Sequence, residues 1–121
     1  MDQISNEKPW DLEARTELFA KRCRALIKKL PRTIANIDDA RQLVRASGSV
    51  AANYIEANDA LGKKDFVMKL RMSRREGKES RMFLRLLDLE ERPELEPERA
   101  ALVQEANELV RIFSSVLKPL V

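Results

Sequence analysis

The sequence predicts an all-α protein, an antiparallel up-down-up-down four-helix bundle that forms a single domain over residues 1–121. With only 3 Gly and 5 Pro and with 36% charged residues, the composition favours long helices over a sheet with many turns. Four segments repeat apolar or small residues at steps of three and four, the period of a helix face. The length of 121 residues fits one domain around one core.

The first helix is predicted over residues 11–30, and Asp11 is its candidate N-cap. Its apolar seam, at steps of four, three and four, consists of Phe19, Cys23, Leu26 and Leu30. Pro31 is expected to end the helix, because the residue before a proline is pushed out of the α region. Cys23 is the single cysteine, and the chain has no histidine to activate a thiol, so we interpret it as a small core residue.

The second helix is predicted over residues 37–60, with Asn36 as its candidate N-cap. It carries small or apolar residues on two faces, where an ordinary surface helix has one such face. One face holds Ala40, Val44, Ser47, Ala51, Tyr54 and Asn58, and the other holds Leu43, Ala46, Ser49, Val50, Asn53, Ala57 and Ala60. Either this helix is central in the bundle, or its second face meets another subunit. We favour the second interpretation and expect a homo-oligomer.

The third helix is predicted over residues 63–87, after a break at Leu61-Gly62. Its seam consists of Phe66, Leu70, Ser73, Gly77, Ser80, Leu84 and Leu87. The small residues at the centre of this seam predict that a neighbouring helix passes close by. An acidic loop over residues 88–98 leads to the fourth helix, predicted over residues 98–117. The seam of the fourth helix consists of Leu102, Ala106, Leu109, Phe113 and Val116.

A basic stripe on the third helix is the first candidate functional site. Its members, at steps of three and four on one face, are Arg71, Arg74, Lys78, Arg81 and Arg85. Together with Lys63 and Lys64 they form a candidate nucleic-acid-binding surface, because a line of cations can follow phosphates. The alternative is a solvated or internally paired face. In that interpretation Arg75 pairs with Glu79, and residues 88–108, with eight acids and two bases, neutralise the stripe.

A cluster of polar residues on the second and third helices is the other candidate. Carboxylates among apolar residues need partners, because an unpaired buried charge is costly. We interpret the cluster as a structural network or a subunit interface, formed by Arg45, Asn53, Glu56, Glu76 and Glu79. A ferritin-type metal site needs Glu-x-x-His pairs, and the chain contains no histidine. Without a nucleophile or a cofactor loop we expect no catalytic residue, no metal, no cofactor and no enzymatic activity.

The predicted second and third helices carry a series of motifs. They are Arg41-Gln42-Leu43, Arg45, Ser49-Val50, Ala52-Asn53-Tyr54, Glu56-Ala57, Asp65-Phe66, Lys69-Leu70, Glu76, Glu79-Ser80 and Leu84-Arg85-Leu86-Leu87. With these motifs the chain resembles the bacterial four-helix-bundle proteins of open reading frames within ribosomal-RNA intervening sequences. The first and fourth helices match that family only in length and pattern. Ala46, Arg75, Gly77 and Phe83 stand where the family usually has Ser, Lys, Ala and Trp.

The resemblance implies an up-down-up-down bundle that assembles into a ring, often a pentamer, and it implies no enzymatic activity. A related branch is the accessory protein of diversity-generating retroelements, a more basic pentamer that engages reverse transcriptase and nucleic acid. We therefore interpret the chain as a non-enzymatic, ring-forming bundle that binds RNA or a ribonucleoprotein through the basic stripe. The alternative is a homo-oligomeric protein-interaction scaffold with no nucleic-acid role.

The net charge, the aromatic content and the hydropathy of the chain limit these interpretations. The net charge is only +3, and aromatic residues are 5% of the chain, so we expect RNA binding through the backbone and with weak sequence preference. No apolar run approaches the ~20 residues of a membrane span. No secretory signal pattern opens the sequence. We therefore expect a cytoplasmic protein with no membrane partner and no small-molecule substrate.

Overall fold

The structure, a computed structural model, describes residues 11–121, and the part of the predicted domain before Asp11 lies outside these residues. The chain forms the four α-helices α1 (Leu12–Ile27), α2 (Ile34–Asn58), α3 (Lys63–Leu86) and α4 (Glu96–Leu117). Short 3₁₀ turns over Pro93–Leu95 and Lys118–Leu120 flank α4. Residues 11–121 contain no strand, so the predicted all-α four-helix class is confirmed.

Consecutive helices run antiparallel, and α4 returns to lie beside α1. In each pair of neighbouring helices, residues with rising numbers on one helix contact residues with falling numbers on the other. The contacts that define this register are Glu13–Asn58 and Arg24–Ser47 for α1 and α2, Arg45–Glu76 and Val50–Ser73 for α2 and α3, Arg74–Ser114 and Arg81–Asn107 for α3 and α4, and Arg15–Glu105 and Arg22–Glu98 for α1 and α4. The register gives the up-down-up-down order.

One hydrophobic core takes side chains from all four helices. Its largest fully buried members are Phe19, Leu26, Leu43, Leu70, Leu84, Leu102, Leu109, Phe113 and Leu117. Cys23 is also fully buried, which makes it a core residue as predicted. The fourth-helix seam is wrong at its last position, because Val116 is 37% exposed while Leu117 is 2% exposed. The helical period of 3.6 residues places Leu117, four residues after Phe113, on the core side.

The end of α1 comes earlier than predicted. α1 begins as expected, with the Asp11 carboxylate accepting from the backbone N–H of Ala14 at 3.2 Å. Its last α-helical residue, however, is Ile27, and the N–H groups of Lys29 and Leu30 bond three residues back instead of four. The final turn before the proline is therefore tightened into 3₁₀ geometry, which is common at helix ends.

The start of α2 corrects the predicted cap. Thr33, not Asn36, is the N-cap, and its hydroxyl accepts from the backbone N–H of Asn36 at 3.0 Å. The Asn36 side chain is 1% exposed and joins two loops instead. Its amide NH₂ donates to the carbonyls of Pro31 at 3.0 Å and Asp88 at 2.9 Å, and its oxygen accepts from the N–H of Asp88 at 2.9 Å.

Both faces of α2 that carry small residues pack against other helices of the same chain. Toward α1, the Arg24 guanidinium lies 3.4 Å from the hydroxyl of Ser47, and a Cβ on Gly48 would come within 3.2 Å of its Nη2 atom. Toward α3, the hydroxyl of Ser73 donates to the carbonyl of Val50 at 2.6 Å. α2 is thus a central helix with two neighbours, and its two faces alone do not indicate another subunit. The homo-oligomer stays a prediction.

The small centre of α3 allows the close approach that the sequence predicts. A Cβ on Gly77 would lie 3.2 Å from Cγ2 of Val110 on α4, tighter than ordinary van der Waals contact. Ser73 and Ser80, each about one turn from Gly77, are fully buried. The Ser80 hydroxyl donates back to the carbonyl of Glu76 at 2.8 Å, so its polar atom is satisfied within the helix.

Candidate nucleic-acid interface

The helix that carries the basic stripe has defined ends, and its C-terminal end is held by α4. α3 begins after Gly62, whose extended backbone breaks the path of the chain from α2. At its other end the guanidinium of Arg99 donates to the carbonyls of Leu84 at 2.8 Å and Leu87 at 2.9 Å. Because the last carbonyls of a helix lack partners within it, this contact from α4 stabilises the end of α3. The side chains of α3 are therefore presented from a rigid element.

The structure divides the predicted stripe in two. Arg74 and Arg81 point toward α4 and are half-buried. The guanidinium of Arg74 donates to the hydroxyl of Ser114 at 3.2 Å, and that of Arg81 donates to the amide oxygen of Asn107 at 2.7 Å. Their partners are neutral, so both positive charges are uncompensated by these contacts. These two residues bind α3 to α4.

The remaining members form an exposed line, which we name the cationic row. The row consists of Lys64, Arg71, Lys78 and Arg85. Its members recur every seven residues, which is two helical turns or about 10.5 Å, and the row spans about 32 Å. Within residues 11–121 no carboxylate lies within 4.0 Å of any member. Lys63 is exposed beside the first member of the row.

The acidic segment does not neutralise the row. Glu105 pairs with Arg15 at 2.7 Å, and Glu98 pairs with Arg22 at 3.3 Å, so two acids of α4 face α1. The hydrogen bond that Arg15 donates to Glu105 is the main cause that raises the pKa of Arg15. Other acids of residues 88–108 pair locally, as Glu96 does with Arg99 at 2.7 Å. Glu98 and Glu105 are therefore turned away from the row, and Glu96 is paired with Arg99 beside the end of α3.

A groove of about 830 Å³ opens beside the first half of α3. This volume lies within the range of about 300–1,000 Å³ that ligand sites occupy. The cations that line it are Lys63, Lys64, Arg71 and Arg75. Its apolar floor comes from Val67, Met68 and Met72 of α3 and from Leu120 and Val121, which follow α4. The groove widens the positive surface at the first two members of the cationic row.

The second candidate cluster contains one well-formed network. One Arg45 nitrogen lies 3.3 Å from Glu76, and the other lies 2.9 Å from Glu79. Hydrogen bonding to Glu76 is the main cause that raises the pKa of Arg45. Glu76 is only 7% exposed, so this pairing compensates a carboxylate that is nearly removed from water. Glu79 contacts Arg45, and the alternative pair between Glu79 and Arg75 lies outside 4.0 Å in the described residues.

The other two predicted members lie outside this network. The amide of Asn53 donates to the carbonyl of Ser49, one turn earlier in α2, at 2.9 Å. Glu56 pairs instead with Lys69 of α3 at 2.7 Å, and this hydrogen bond raises the pKa of Lys69. The two ion-paired sites hold α2 and α3 in register at two levels. The geometry is that of a structural network.

Metal binding, thiol chemistry and membrane insertion have little support in residues 11–121. Residues 11–121 contain no group of three or more His, Cys, Asp or Glu side chains that is placed to hold a metal ion. Burial raises the pKa of Cys23 to about 12, so its thiol is protonated at neutral pH. Among the described helices, none combines the length and the apolar character needed to cross a membrane.

Several residues that shape this surface were not identified from the sequence. Arg15 and Arg22 take up Glu105 and Glu98 and thereby leave the cationic row without acidic partners. Arg15 and Arg22 are seven residues apart, and so are Glu98 and Glu105. This equal spacing predicts such a pairing between antiparallel helices. Arg75 lines the groove. Because α3 carries nine cations, the sequence does not distinguish Arg75 as a groove residue.

Comparisons with known proteins agree with this architecture. A search of solved structures finds a protein of unknown function from the S23 ribosomal protein family of Bacteroides thetaiotaomicron. The two share 23% identity and a TM-score of 0.74, over 88% of this chain and 97% of that chain. This likeness shows the fold. No curated protein matches the chain.

A sequence comparison identifies the family. The sequence model of the 23S rRNA-intervening sequence proteins matches residues 11–115, which include all four helices almost to the end of α4. The match extends the resemblance seen in α2 and α3 to α1 and α4. The chain belongs to the 23S rRNA-intervening sequence protein family.

Proposed function

We propose that this protein is a non-enzymatic, homo-oligomeric helical bundle that binds RNA or a ribonucleoprotein through the cationic row of α3. The observation that carries the proposal is the exposed row without a carboxylate within 4.0 Å in residues 11–121. Cations attract phosphates most strongly where no acid of the protein already compensates them. The resemblance to a family with a related branch that engages nucleic acid favours RNA as the polyanion.

The geometry favours contacts to the RNA backbone. A row that spans about 32 Å on one straight helix presents its charges as a line, as a phosphate chain does. No aromatic side chain belongs to the row or to the groove lining, so stacking on bases is not offered there. We therefore propose binding that depends strongly on salt and weakly on base sequence.

Removal of three row cations tests the proposal. The variant carries Arg71→Ala, Lys78→Ala and Arg85→Ala, and the probe is a labelled single-stranded RNA of about 20 nucleotides. Binding is measured by fluorescence anisotropy over a series of salt concentrations. Each lost phosphate contact removes about 0.7 from the slope of log K against log salt, so the slope should become shallower by about 2.

A variant with the same change in charge controls for net charge. It carries Lys21→Ala, Lys28→Ala and Lys29→Ala, three exposed lysines in or just after α1, the helix diagonally across the bundle from α3. Its slope should stay close to that of the wild-type protein. An equal loss in both variants assigns the affinity to net charge and not to the row. A wild-type protein without RNA affinity at low salt contradicts the proposal itself.

A protein-interaction scaffold without a nucleic-acid role is the second candidate function. The observation that favours it is the number of exposed apolar residues on α2 and α3, among them Ile34 at 90% and Leu86 at 54% exposure. Exposed apolar patches mark contacts with other proteins. Recovery of one protein from a nuclease-treated lysate, together with no RNA affinity of the purified chain, would favour the scaffold.

Assembly is a separate part of the proposal. Light scattering coupled to gel filtration should give a mass several times the 13.9 kDa of one chain. The resemblance described above implies a ring, often of five subunits. In a ring, one surface of each copy meets a different surface of the next copy. A mass of one chain at micromolar concentration would contradict the proposed assembly and leave RNA binding to be judged by its own test.

A further inference from the structure

The groove beside the first half of α3, which we name the α3 groove, combines an apolar floor with a basic rim. In the floor, Met68 is 52% exposed. On the rim, Lys64 and Arg75 are exposed, and neither has a carboxylate within 4.0 Å among residues 11–121. Phosphates alone would leave the apolar floor uncovered, because no aromatic side chain offers a base a stacking surface there. The groove fits an apolar side chain that is flanked by carboxylates.

A surface of that chemistry lies on the same chain, where α2 ends beside the start of α1. We name it the α2 end patch, and it consists of Glu13, Ile55 and Asp59. Ile55 is 45% exposed, and the two acids are also exposed. The Glu13 carboxylate accepts from the side-chain amide of Asn58 at 2.8 Å, which holds it beside Asp59. In the described part of the chain, neither carboxylate has a cation within 4.0 Å.

The α2 end patch and the α3 groove lie at the same height along the bundle. Ile55 on α2 and Met68 on α3 each precede a member of the ion pair that joins these helices at 2.7 Å, so the two residues are level. Because the helices run antiparallel, one further turn reaches Asp59 on α2 and Lys64 on α3, which are therefore level as well. Copies in a ring are related by a rotation that keeps height along the ring axis. The patch of one copy can thus meet the groove of another when the bundles stand parallel to that axis.

We propose that the α2 end patch of each copy docks into the α3 groove of the next copy. Ile55 then covers the partner's Met68 on the apolar floor. Asp59 pairs with the partner's Lys64, and Glu13 faces the same basic rim. This contact names the surfaces of the homo-oligomer in the proposed function and rests on that assembly, but it does not depend on RNA binding.

The positions of the two surfaces favour a closed ring. The patch and the groove belong to neighbouring helices, so the two contact directions of a copy diverge by about a right angle in a square bundle. A contact between two different surfaces that turns at each step closes a small ring, whereas surfaces on opposite sides would build a filament. This agrees with the ring that the resemblance implies.

The contact ends beyond the groove, because both surfaces are basic toward the other end of the bundle. There Lys28 is exposed after α1, and Lys78 and Arg85 are exposed on α3. Like charges that face each other across an interface are costly. Arg71, Lys78 and Arg85 of the cationic row therefore stay open to a polyanion, while the neighbouring copy takes up Lys64.

An exchange of charges tests the contact. Asp59→Lys places a lysine opposite the partner's Lys64 in every contact, and Lys64→Asp places two aspartates opposite each other. Each variant should weaken the assembly at least about tenfold, and the double variant D59K/K64D should recover it. Sedimentation velocity over a dilution series measures the effect. Glu91→Lys is the matched control, since it makes the same change in charge in the α3–α4 loop and should keep the wild-type mass.

The apolar half of the contact has its own matched pair of variants. Ile55 and Leu18 are both 45% exposed, but Leu18 lies one turn before Arg22, on the side of α1 that faces α4. Ile55→Ser should weaken the assembly at least about tenfold, because it leaves the apolar floor of the groove without a partner. Leu18→Ser should leave the assembly unchanged. Circular dichroism of each variant confirms that it is folded.

Disulfide trapping tests which surfaces meet. Ile55→Cys chains and Met68→Cys chains are refolded together and mildly oxidised, and the mixture should form a covalent dimer. Neither variant should form one alone, because residue 55 of one copy meets residue 68 of the next and not its own equivalent. Cys23 is fully buried and does not compete.

The outcomes separate this contact from the assembly and from RNA binding. An oligomer whose mass is unchanged by Asp59→Lys, Lys64→Asp and Ile55→Ser, or a covalent dimer of Met68→Cys chains alone, overturns the contact and retains the assembly. A wild-type protein that is monomeric overturns both. The expected masses and cross-links without any RNA affinity retain the contact and contradict only RNA binding.

Discussion

Phe113→Ala should lower the free energy of unfolding by about 3–5 kcal/mol, the usual range for removing a large buried aromatic ring. Phe113 is fully buried in the core, and its ring stacks on Tyr54 of α2 with a centroid distance of 6.0 Å. The ring therefore bridges two helices that lie diagonally across the bundle. Since small domains have only about 5–15 kcal/mol of stability, this loss is a large share of the total.

Urea denaturation followed by circular dichroism measures this effect. Val116→Ala is the matched control, because Val116 lies three residues further along α4 and is 37% exposed. The control should change stability by less than about 1 kcal/mol. All proteins are compared at one concentration, since assembly makes the midpoint depend on concentration. Equal losses in the two variants would mean that Phe113 is not a central core residue.

Asn36→Leu should lower the free energy of unfolding by about 2–4 kcal/mol. The substitution removes three hydrogen bonds, one to Pro31 in the α1–α2 turn and two to Asp88 in the α3–α4 loop. Its backbone partners, the carbonyls of Pro31 and Asp88 and the N–H of Asp88, lose their bonds at a partly buried site. The size of the loss comes from these unsatisfied groups more than from the bonds themselves.

Thr33→Ala is the comparison that identifies the cause. Thr33 is the actual N-cap of α2, and removing a cap usually costs about 0.5–2 kcal/mol. If Asn36 served only the helix end, Asn36→Leu would cost no more than Thr33→Ala. A clearly larger loss in chemical denaturation supports the link between the two loops, and an equal loss contradicts it.

The helices and their core faces were predictable because they depend on local periodicity. The α3 seam from Leu70 to Leu87 follows a strict repeat, and every member from Leu70 onward is buried. The error at Val116 arose because a repeat of steps four and three drifts away from the true helical period. The early end of α1 at Ile27 depends on a tightened final turn, which a proline signal places only to within a few residues.

Contacts between distant parts of the chain were less predictable. An asparagine just before a helical pattern is typical of a cap, yet Asn36 forms two of its three side-chain hydrogen bonds with Asp88, on a loop 52 residues away. Likewise, spacing placed Arg74 and Arg81 on the same stripe as Lys78. Only the position of α4 decides that the two arginines pack inward while Lys78 stays exposed. One face of a helix is wide enough to carry both residues that pack inward and residues that stay exposed.

The up-down-up-down register has a consequence for how the chain folds. Three of the four helix interfaces join helices that follow one another in the sequence, so most of the contacts are short-range. Chains of low contact order fold in microseconds to milliseconds. The exception is the closure of α1 on α4, where Arg15 meets Glu105 across 90 residues of chain. This closure carries the largest loop entropy, and we infer that it forms after the α2–α3 hairpin has nucleated the bundle.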